Sequence, residues 1–416
     1  MKKKIKNIFI YIPLLIPSLL ITGPFLPDLL LVLSCLYYIF DQKFINFLKP
    51  YLKKKEILIY LLLILLTIIS SIFSEYILNS LKSSFFHLRF VLFVMIYFYL
   101  ASTYKKFIEY QIKVLGITLF ILVSDSFLQL MTGKNILGYE MVTAYVDRPT
   151  SFFFNDLKIG SFLSKFSLLL SALCFYKNKY INYSLILLLL SWVLIFFSGE
   201  RASFILYSLS ILFITMVFYR SVKFKDIKII IIIFTFALAI VSYKVMQETK
   251  YINKMIIHPL KELSIIESDE KFLPAHRKHF LIAIEIFKNN ILLGSGPNTF
   301  RYECHKIIKN ENNIANGCST HPHNIYIQLL SEAGIFSLFI ALYFYSRLIL
   351  ILFKTTSNLI VKSNNKLKAY AIVNIILLIS FFPLSPTGNI FNNWNSINIL
   401  FALGFFLKLR HSIKNI

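Results

Sequence analysis

The sequence predicts an all-α integral membrane protein with about twelve transmembrane helices and one large, partly helical loop outside the membrane. Of its 416 residues, 57% are hydrophobic and only 15% are charged, too few charges to cover a soluble domain. Several apolar runs approach the length at which a helix spans a bilayer, among them 57–74, 181–198 and 228–243. Because helices satisfy their own backbone hydrogen bonds in lipid, a helical bundle follows.

The apolar runs define twelve predicted spans, which divide the chain into three regions. The spans lie at 8–22, 24–40, 57–74, 85–101, 108–131, 159–176, 181–198, 203–219, 228–246, 324–346, 369–382 and 396–409. Residues 1–246 hold the first nine spans and an outer loop at 132–158. Residues 247–322 form the large loop, which contains an amphipathic helix, and residues 323–416 hold the last three spans.

The distribution of positive charge predicts the orientation. With the amino terminus in the cytoplasm, the predicted cytoplasmic segments hold 25 of the 44 Lys and Arg residues. The short outer loops 75–84, 198–202 and 383–395 hold two. Both termini are therefore expected in the cytoplasm and both long loops on the outer face. The net charge of +24 follows from this bias, and no nucleic-acid partner is expected because no basic run is interleaved with aromatics in a soluble segment.

Three arginines are predicted to face outward, against the general bias. Arg148 lies in DRPTSFFFND, Arg201 in the short turn SGERAS, and Arg277 in LPAHRKHFLIAIEIFKNN. The planar guanidinium matches phosphate oxygens better than an ammonium does, so these residues suggest a lipid-linked phosphate or diphosphate. The alternative for each is a side chain that reaches the lipid headgroups. Lys158, at the edge of the sixth span, is a further binding candidate.

The segment around Arg277 is predicted to form a surface helix. Pro274 suits its first turn, and Phe280, Ile284 and Phe287 fall on one face. Arg277 then lies near a helix N-terminus, where backbone N–H groups also favour an anion.

Two histidines precede the tenth span in HPHNIYIQLLSEAGIF. Histidine titrates near neutrality and often serves as a general base, which makes His323, at the outer end of the span, the catalytic candidate. His321 is a neighbouring binding candidate. Glu332 lies nine residues after His323, within the membrane, where an acid is costly unless it pairs with an arginine or orients a polar partner. The alternative for a single histidine here is an ordinary interfacial residue.

Cysteine and histidine also cluster in this region, at Cys304, His305, Cys318, His321 and His323. The spacing resembles a zinc pattern only loosely, and an oxidising compartment favours a Cys304–Cys318 disulfide instead. We therefore predict no metal and no cofactor. Cys35 and Cys174 lie within spans and are expected to pack.

These motifs together resemble the O-antigen ligase and O-antigen polymerase superfamily. HPHNIYIQLLSEAGIF carries the most specific likeness, and RPTSFFFNDLKIG, SGERAS and HRKHFLIAIEIFKNNILLGSGPNTF follow in the expected order. The likeness extends over the chain in topology, with twelve spans and one large periplasmic loop.

The resemblance implies a multi-pass protein of the bacterial inner membrane with a periplasmic active site. It implies transfer of a glycan from undecaprenyl diphosphate to an acceptor hydroxyl, with His323 as base and Arg201 and Arg277 as catalytic cations on the diphosphate. Arg148, His321, Glu332 and Lys158 are expected to bind substrate. A single displacement would invert the anomeric centre, and the outer loops contain no DxD-like pair, which suits a metal-independent reaction.

Three functions remain open at this stage. A ligase would use lipid A-core as acceptor, and a polymerase would use a second lipid-linked repeat unit. A transporter of lipid-linked sugars is the third, although Asp125 and Glu332 lie towards the outer half of their spans, which favours surface chemistry over a path across the membrane. The ligase is the preferred interpretation. Membrane lipids are partners in all three.

Overall fold

The computed structural model describes residues 2–144, 146–218, 250–257, 275–310, 317–361 and 364–413, and these residues form an almost entirely helical fold. The first half contains the helices α1 Lys2–Leu19, α2 Phe25–Ile39, α3 Gln42–Leu52, α4 Lys55–Ile72, α5 Ile77–Thr103, α6 Phe107–Thr132, α7 Ile159–Lys177, α8 Ile181–Phe197 and α9 Arg201–Phe218. The second half contains α10 Lys250–Ile252, α11 Ala275–Asn289, α12 Phe300–Asn310, α13 Ile325–Val361, α14 Asn365–Ser380 and α15 Asn393–Ile413.

Eleven of the twelve predicted spans coincide with helices, and the twelfth, at 228–246, lies outside the described residues. Five of the described helices are long and apolar enough to cross a membrane: α5, α6, α7, α13 and α15. The pair α2 and α3 would add a sixth, although the two helices meet at 90°. Four further apolar helices are shorter. The chain is thus a helical membrane protein, while the count of twelve spans stays a prediction.

Helix α7 lies at the centre of the bundle and packs against α6, α8, α9, α14 and α15. Nearly all of its residues are buried. The hydroxyls of its buried serines form hydrogen bonds within the helix or with a neighbouring helix. Ser167, for example, donates to the carbonyl of Leu163 at 2.6 Å and contacts the hydroxyl of Tyr207 at 2.6 Å. A helix buried on all sides can carry such small polar residues because their hydroxyls find partners without water.

The outer loop 132–158 contains structure that the sequence did not predict. Strands β1, Val142–Ala144, and β2, Val146–Arg148, form an antiparallel hairpin in which Val142 pairs with Arg148. Asp125, in α6, anchors this loop: its carboxylate accepts hydrogen bonds from the amide of Ile136 at 2.8 Å and from the hydroxyl of Ser151. The hairpin brings Arg148 to the end of α8.

Helix α13 bends at Gly334, where the backbone adopts φ 76°. The loop after α11 lies against this bend: the amides of Ser295 and Gly296 donate to the carbonyls of Ser331 and Glu332, each at 2.9 Å. A Cβ on Gly294 would lie 2.5 Å from the carbonyl carbon of Glu332, and one on Gly334 would collide with the Leu292 carbonyl. Glycine is therefore required on both sides of this contact.

Helix α11 packs on α12 and α13. Ile282, Ala283 and Ile286 are buried against Phe300 and Cys304. Of the three residues predicted to share one face of a surface helix, Ile284 is exposed, and Phe280 and Phe287 are half-buried. Periodicity alone could not indicate which side these two helices would occupy. Pro274 lies outside the described residues.

Candidate functional site

A cavity of about 960 Å³ lies between α4, α5, α7, α9, α13, α14 and α15. Its lining is mostly apolar. Along α15 the lining runs from Trp394 to Arg410, roughly 24 Å at 1.5 Å per residue. The end formed by Lys158, Arg201 and Thr387, here called the motif end, is built from the first turns of α7, α9, α13 and α15 and the loop before α15.

At the motif end, Glu200 joins the SGER turn to the first turn of α7. Its carboxylate accepts hydrogen bonds from the amides of Gly160 at 2.6 Å and Ser161 at 2.8 Å, and from the Ser203 hydroxyl at 3.2 Å. A side chain at residue 160 would clash, because a Cβ there would lie 2.7 Å from Oγ of Ser198. Burial raises the pKa of Glu200, while the two amides and the charge of Arg148 act in the opposite direction.

Three cations surround the same turn. Arg201 is the first residue of α9 and lines the cavity, so its charge adds to that of the helix N-terminus. Arg148 is buried and donates from Nε to the carbonyl of Ser198. Gly199 adopts φ 68°, and a Cβ on it would lie 3.1 Å from Nε of Arg148 and 3.2 Å from Nζ of Lys254. The turn thus brings residues from three separate segments together, and Lys254 was not among the predicted site residues.

The histidine motif reaches the motif end through Thr387. His321 donates from Nε2 to the carbonyl of Thr387 at 3.2 Å, and the amide of Thr387 donates to the carbonyl of His323 at 2.8 Å. His323 is half-buried and adopts φ 57°, a left-handed conformation that few residue types favour. The rings of His321 and His323 have centroids 4.1 Å apart.

Asn324 fixes the segment in which His323 lies. Its side-chain oxygen accepts from the amide of Tyr326 at 2.9 Å and so caps the start of α13. Its amide nitrogen donates to the carbonyl of Pro383 at 2.6 Å. The asparagine therefore ties the histidine motif to the loop that lines the cavity.

A third histidine, His279 of α11, joins the cluster. Its ring centroid lies 5.2 Å from that of His323, and its Nδ1 is 2.6 Å from the carbonyl oxygen of Gly317, to which it donates. Gly317 precedes Cys318, which forms a disulfide with Cys304 of α12. The two cysteines and His305 form a group of potential metal ligands within 4.8 Å of one another, and the disulfide occupies both sulfur atoms. Sequence reasoning missed His279 because its partners are distant along the chain.

Five of the seven predicted site residues form three groups by position. Lys158 and Arg201 line the cavity, and Lys158 also pairs with Asp156 at 2.6 Å. Arg148 donates to the carbonyl of Ser198, in the SGER turn. His321 and His323 contact the backbone of Thr387, which itself lines the cavity.

Arg277 and Glu332 lie apart from these groups. Arg277 is exposed on the first turn of α11 and is not part of the cavity lining. Glu332 is fully buried, and its carboxylate accepts from the amide of Phe300 at 2.9 Å and from Nε2 of Gln328 at 2.8 Å. These contacts cap α12 and orient a polar partner within the fold.

The fold and site define a multi-pass helical membrane protein in which an apolar cavity ends at clustered cations and histidines. A family model described as O-antigen ligase matches residues 186–342, a stretch that includes the SGER turn, α11 and the histidine motif. The description of this family agrees with the superfamily that the sequence motifs resemble. No curated protein matches the chain.

Proposed function

We propose that the protein transfers a glycan from a polyprenyl diphosphate to an acceptor hydroxyl at the motif end of the cavity. The observation that carries the proposal is a mostly apolar cavity, roughly 24 Å long by the rise of α15, that ends at Arg201 and Lys158 beside the histidine cluster. A long isoprenoid tail fits an apolar cavity within the membrane, and its diphosphate requires cations at one end. The family match supports a lipid-linked glycan as substrate.

The reaction is a single displacement. The acceptor oxygen bonds to the anomeric carbon, the bond from that carbon to the diphosphate oxygen breaks, and the acceptor proton passes to His323. Polyprenyl diphosphate is already a good leaving group, so cations that stabilise its developing charge and a base for the acceptor are sufficient. The attack from the opposite face inverts the anomeric centre.

His323 is a better candidate for the base than His321. Nε2 of His321 donates to the Thr387 carbonyl, so its Nδ1 accepts from the hydroxyl of Thr320 at 2.9 Å. Both ring nitrogens of His321 are thus committed to the protein. In this proposal His321 holds the loop, and His323 takes the proton.

Arg201 is proposed to contact the diphosphate directly, with Lys158 beside it, and Arg148 to hold the SGER turn that presents Arg201. Arg277 would reach the donor from α11 on the exposed side. Guanidinium groups would thereby provide the charge that a divalent cation provides in many transferases. The active site would face the periplasm, with both termini of the chain in the cytoplasm.

We propose a ligase, with lipid A-core as acceptor, and the deciding experiment supplies two acceptors in parallel. Purified protein in lipid nanodiscs receives undecaprenyl diphosphate-linked glycan with either lipid A-core or excess lipid-linked repeat unit. Extension of lipid A-core supports the ligase, and extension of the repeat unit would identify a polymerase instead. Extension of neither would contradict glycan transfer and favour a transporter.

Replacement of His323 by Ala tests the proposed base in the same assay. A general base contributes about 10²–10⁴ in rate, so transfer should fall by roughly that factor while membrane insertion is retained. The matched control is His305→Ala, which removes an exposed histidine from the same outer region. Normal transfer by the His323→Ala protein would exclude this residue as the base.

A further inference from the structure

We propose that Lys254 is a further binding residue for the diphosphate of the donor, placed in a cluster of cations with Arg201 and Arg148 around the SGER turn. The inference rests on the proposed function and names a residue that neither the motifs nor the family match distinguishes. Lys254 lies in a lysine-rich part of the large loop, in the π-helical turn Asn253–Ile257 after α10. Only its position in the fold separates it from the other lysines there.

The segment that carries Lys254 is held against the site by two contacts of Tyr251. The Tyr251 hydroxyl donates to the carbonyl of Asp147 in β2, the residue before Arg148. The Tyr251 ring packs edge-on against Phe197, the last residue of α8, with centroids 5.3 Å apart. Both anchors lie next to the elements that place Arg148 and the SGER turn. Lys254 is therefore fixed relative to the other two cations.

The glycine of the SGER turn makes the close approach possible. A Cβ on Gly199 would lie 3.2 Å from Nζ and 3.3 Å from Cε of Lys254, and 3.1 Å from Nε of Arg148. Because the Nζ and Nε distances share one origin, the ammonium nitrogen of Lys254 and Nε of Arg148 are at most about 6.3 Å apart. Two like charges at this distance repel each other, and an anion bound beside both would relieve the repulsion.

The acid within this cluster is Glu200. Its carboxylate accepts from the two amides of α7 and from the Ser203 hydroxyl, and its charge interacts with that of Arg148. Arg148, Arg201 and Lys254 bring three positively charged side chains to the turn, which suits a diphosphate carrying two negative charges.

Partial burial, and then the charges of Arg148 and Arg201, lower the pKa of Lys254 to about 8. Arg148, from β2, and Arg201, from the SGER turn, are the charged groups that lower it. The ammonium form would therefore be lost as pH rises through 8 in the free protein. A diphosphate diester does not titrate in this range, so donor binding should weaken on the alkaline side.

The test measures the binding of farnesyl diphosphate, a short isoprenyl diphosphate, to detergent-purified protein at pH 7 and from about pH 7.5 to 9.5, above the ionisation of its terminal phosphate at about pH 6. Inorganic diphosphate serves as a second probe without a lipid tail. The variants are Lys254→Met and Lys254→Arg, and the matched control is Lys250→Met, an exposed lysine one helical turn earlier. Thermal unfolding of each variant reports whether it folds.

The expected result has three parts. Lys254→Met weakens farnesyl diphosphate binding by about tenfold or more at pH 7, and Lys250→Met leaves it unchanged. Wild-type binding declines above pH 8, whereas Lys254→Arg binds without this decline because arginine stays charged. If Lys254→Met fails to fold, the pH profile of Lys254→Arg decides alone.

Three results would overturn the inference: absence of farnesyl diphosphate binding to the wild-type protein, equal affinity of the wild-type and Lys254→Met proteins, or the same alkaline decline in Lys254→Arg. The outcome is separate from that of the transfer assay. Binding that depends on Lys254 without any glycan transfer would refute the proposed enzyme and keep the diphosphate site.

Discussion

Replacing Gly199 by Ala perturbs the cation cluster at its closest point. Gly199 adopts φ 68°, where a non-glycine residue costs about 1–2 kcal/mol. The added methyl would lie 3.1–3.3 Å from atoms of Arg148 and Lys254, closer than the 3.5–4.0 Å of an optimal contact. At least one of the two cations must move to accommodate it. The substitution therefore combines backbone strain at residue 199 with displacement of a positively charged side chain.

The magnitude of the activity loss follows from the contact that is lost. A hydrogen bond to a charged group contributes about 1.5–3 kcal/mol, which corresponds to roughly a 10- to 150-fold fall in kcat/KM for the donor. The control is Gly133→Ala. Gly133 has φ 82°, but nothing lies within 4 Å of the Cβ position, so this variant has similar backbone strain without a displaced cation.

The assay compares kcat/KM for lipid-linked glycan and the unfolding temperature in both variants. We expect similar losses of stability in the two proteins and a loss of transfer in Gly199→Ala alone. Transfer by Gly199→Ala at the wild-type rate would refute the argument that the SGER turn positions donor-binding cations. An equal fall in both variants would show that backbone strain, and not displacement of a cation, lowers transfer.

Three further predictions concern Arg277, the disulfide and the apolar cavity. Arg277→Lys should impair transfer because it keeps the charge but loses the planar fork, and an unaltered rate would exclude a diphosphate role. Replacing Cys304 and Cys318 by Ser should lower transfer and destabilise the fold by about 3 kcal/mol, because the disulfide closes a loop of 14 residues. An unchanged unfolding temperature would contradict this prediction. Ala341→Trp, within the cavity, should weaken farnesyl diphosphate binding but not inorganic diphosphate binding, and equal effects would argue against a tail site.

The helices were predictable because each apolar run carries its own signal. A span needs no information from the rest of the chain, since the bilayer fixes both its length and its composition. The β1–β2 hairpin and the packed face of α11 were not predictable in this way. Both depend on which distant surface each segment meets, and the exposed Ile284 is as apolar as the buried Ile282 two residues earlier.

The residues of the candidate site likewise divide into those with a local sequence signal and those without one. Arg201 and His323 belong to short motifs that stand out once the spans are assigned. Lys254 and His279 have no local signal, because their significance comes from contacts with Gly199 and Gly317, which are 55 and 38 positions away. A lysine among many lysines, and a histidine beside Arg277 and Lys278, look ordinary until the chain is folded.

The apolar lining of the cavity favours the proposed transfer over transport. Between its two ends the walls include large apolar side chains such as Phe90, Phe344 and Leu400. A hydrated glycan that passed this region would lose hydrogen bonds to water without replacement, at a cost of several kcal/mol for each buried group. A polyprenyl chain has no hydrogen bonds to water that it could lose there. The apolar body therefore suits a tail that remains in the membrane while its headgroup stays at the motif end, beside the residues that can act on it.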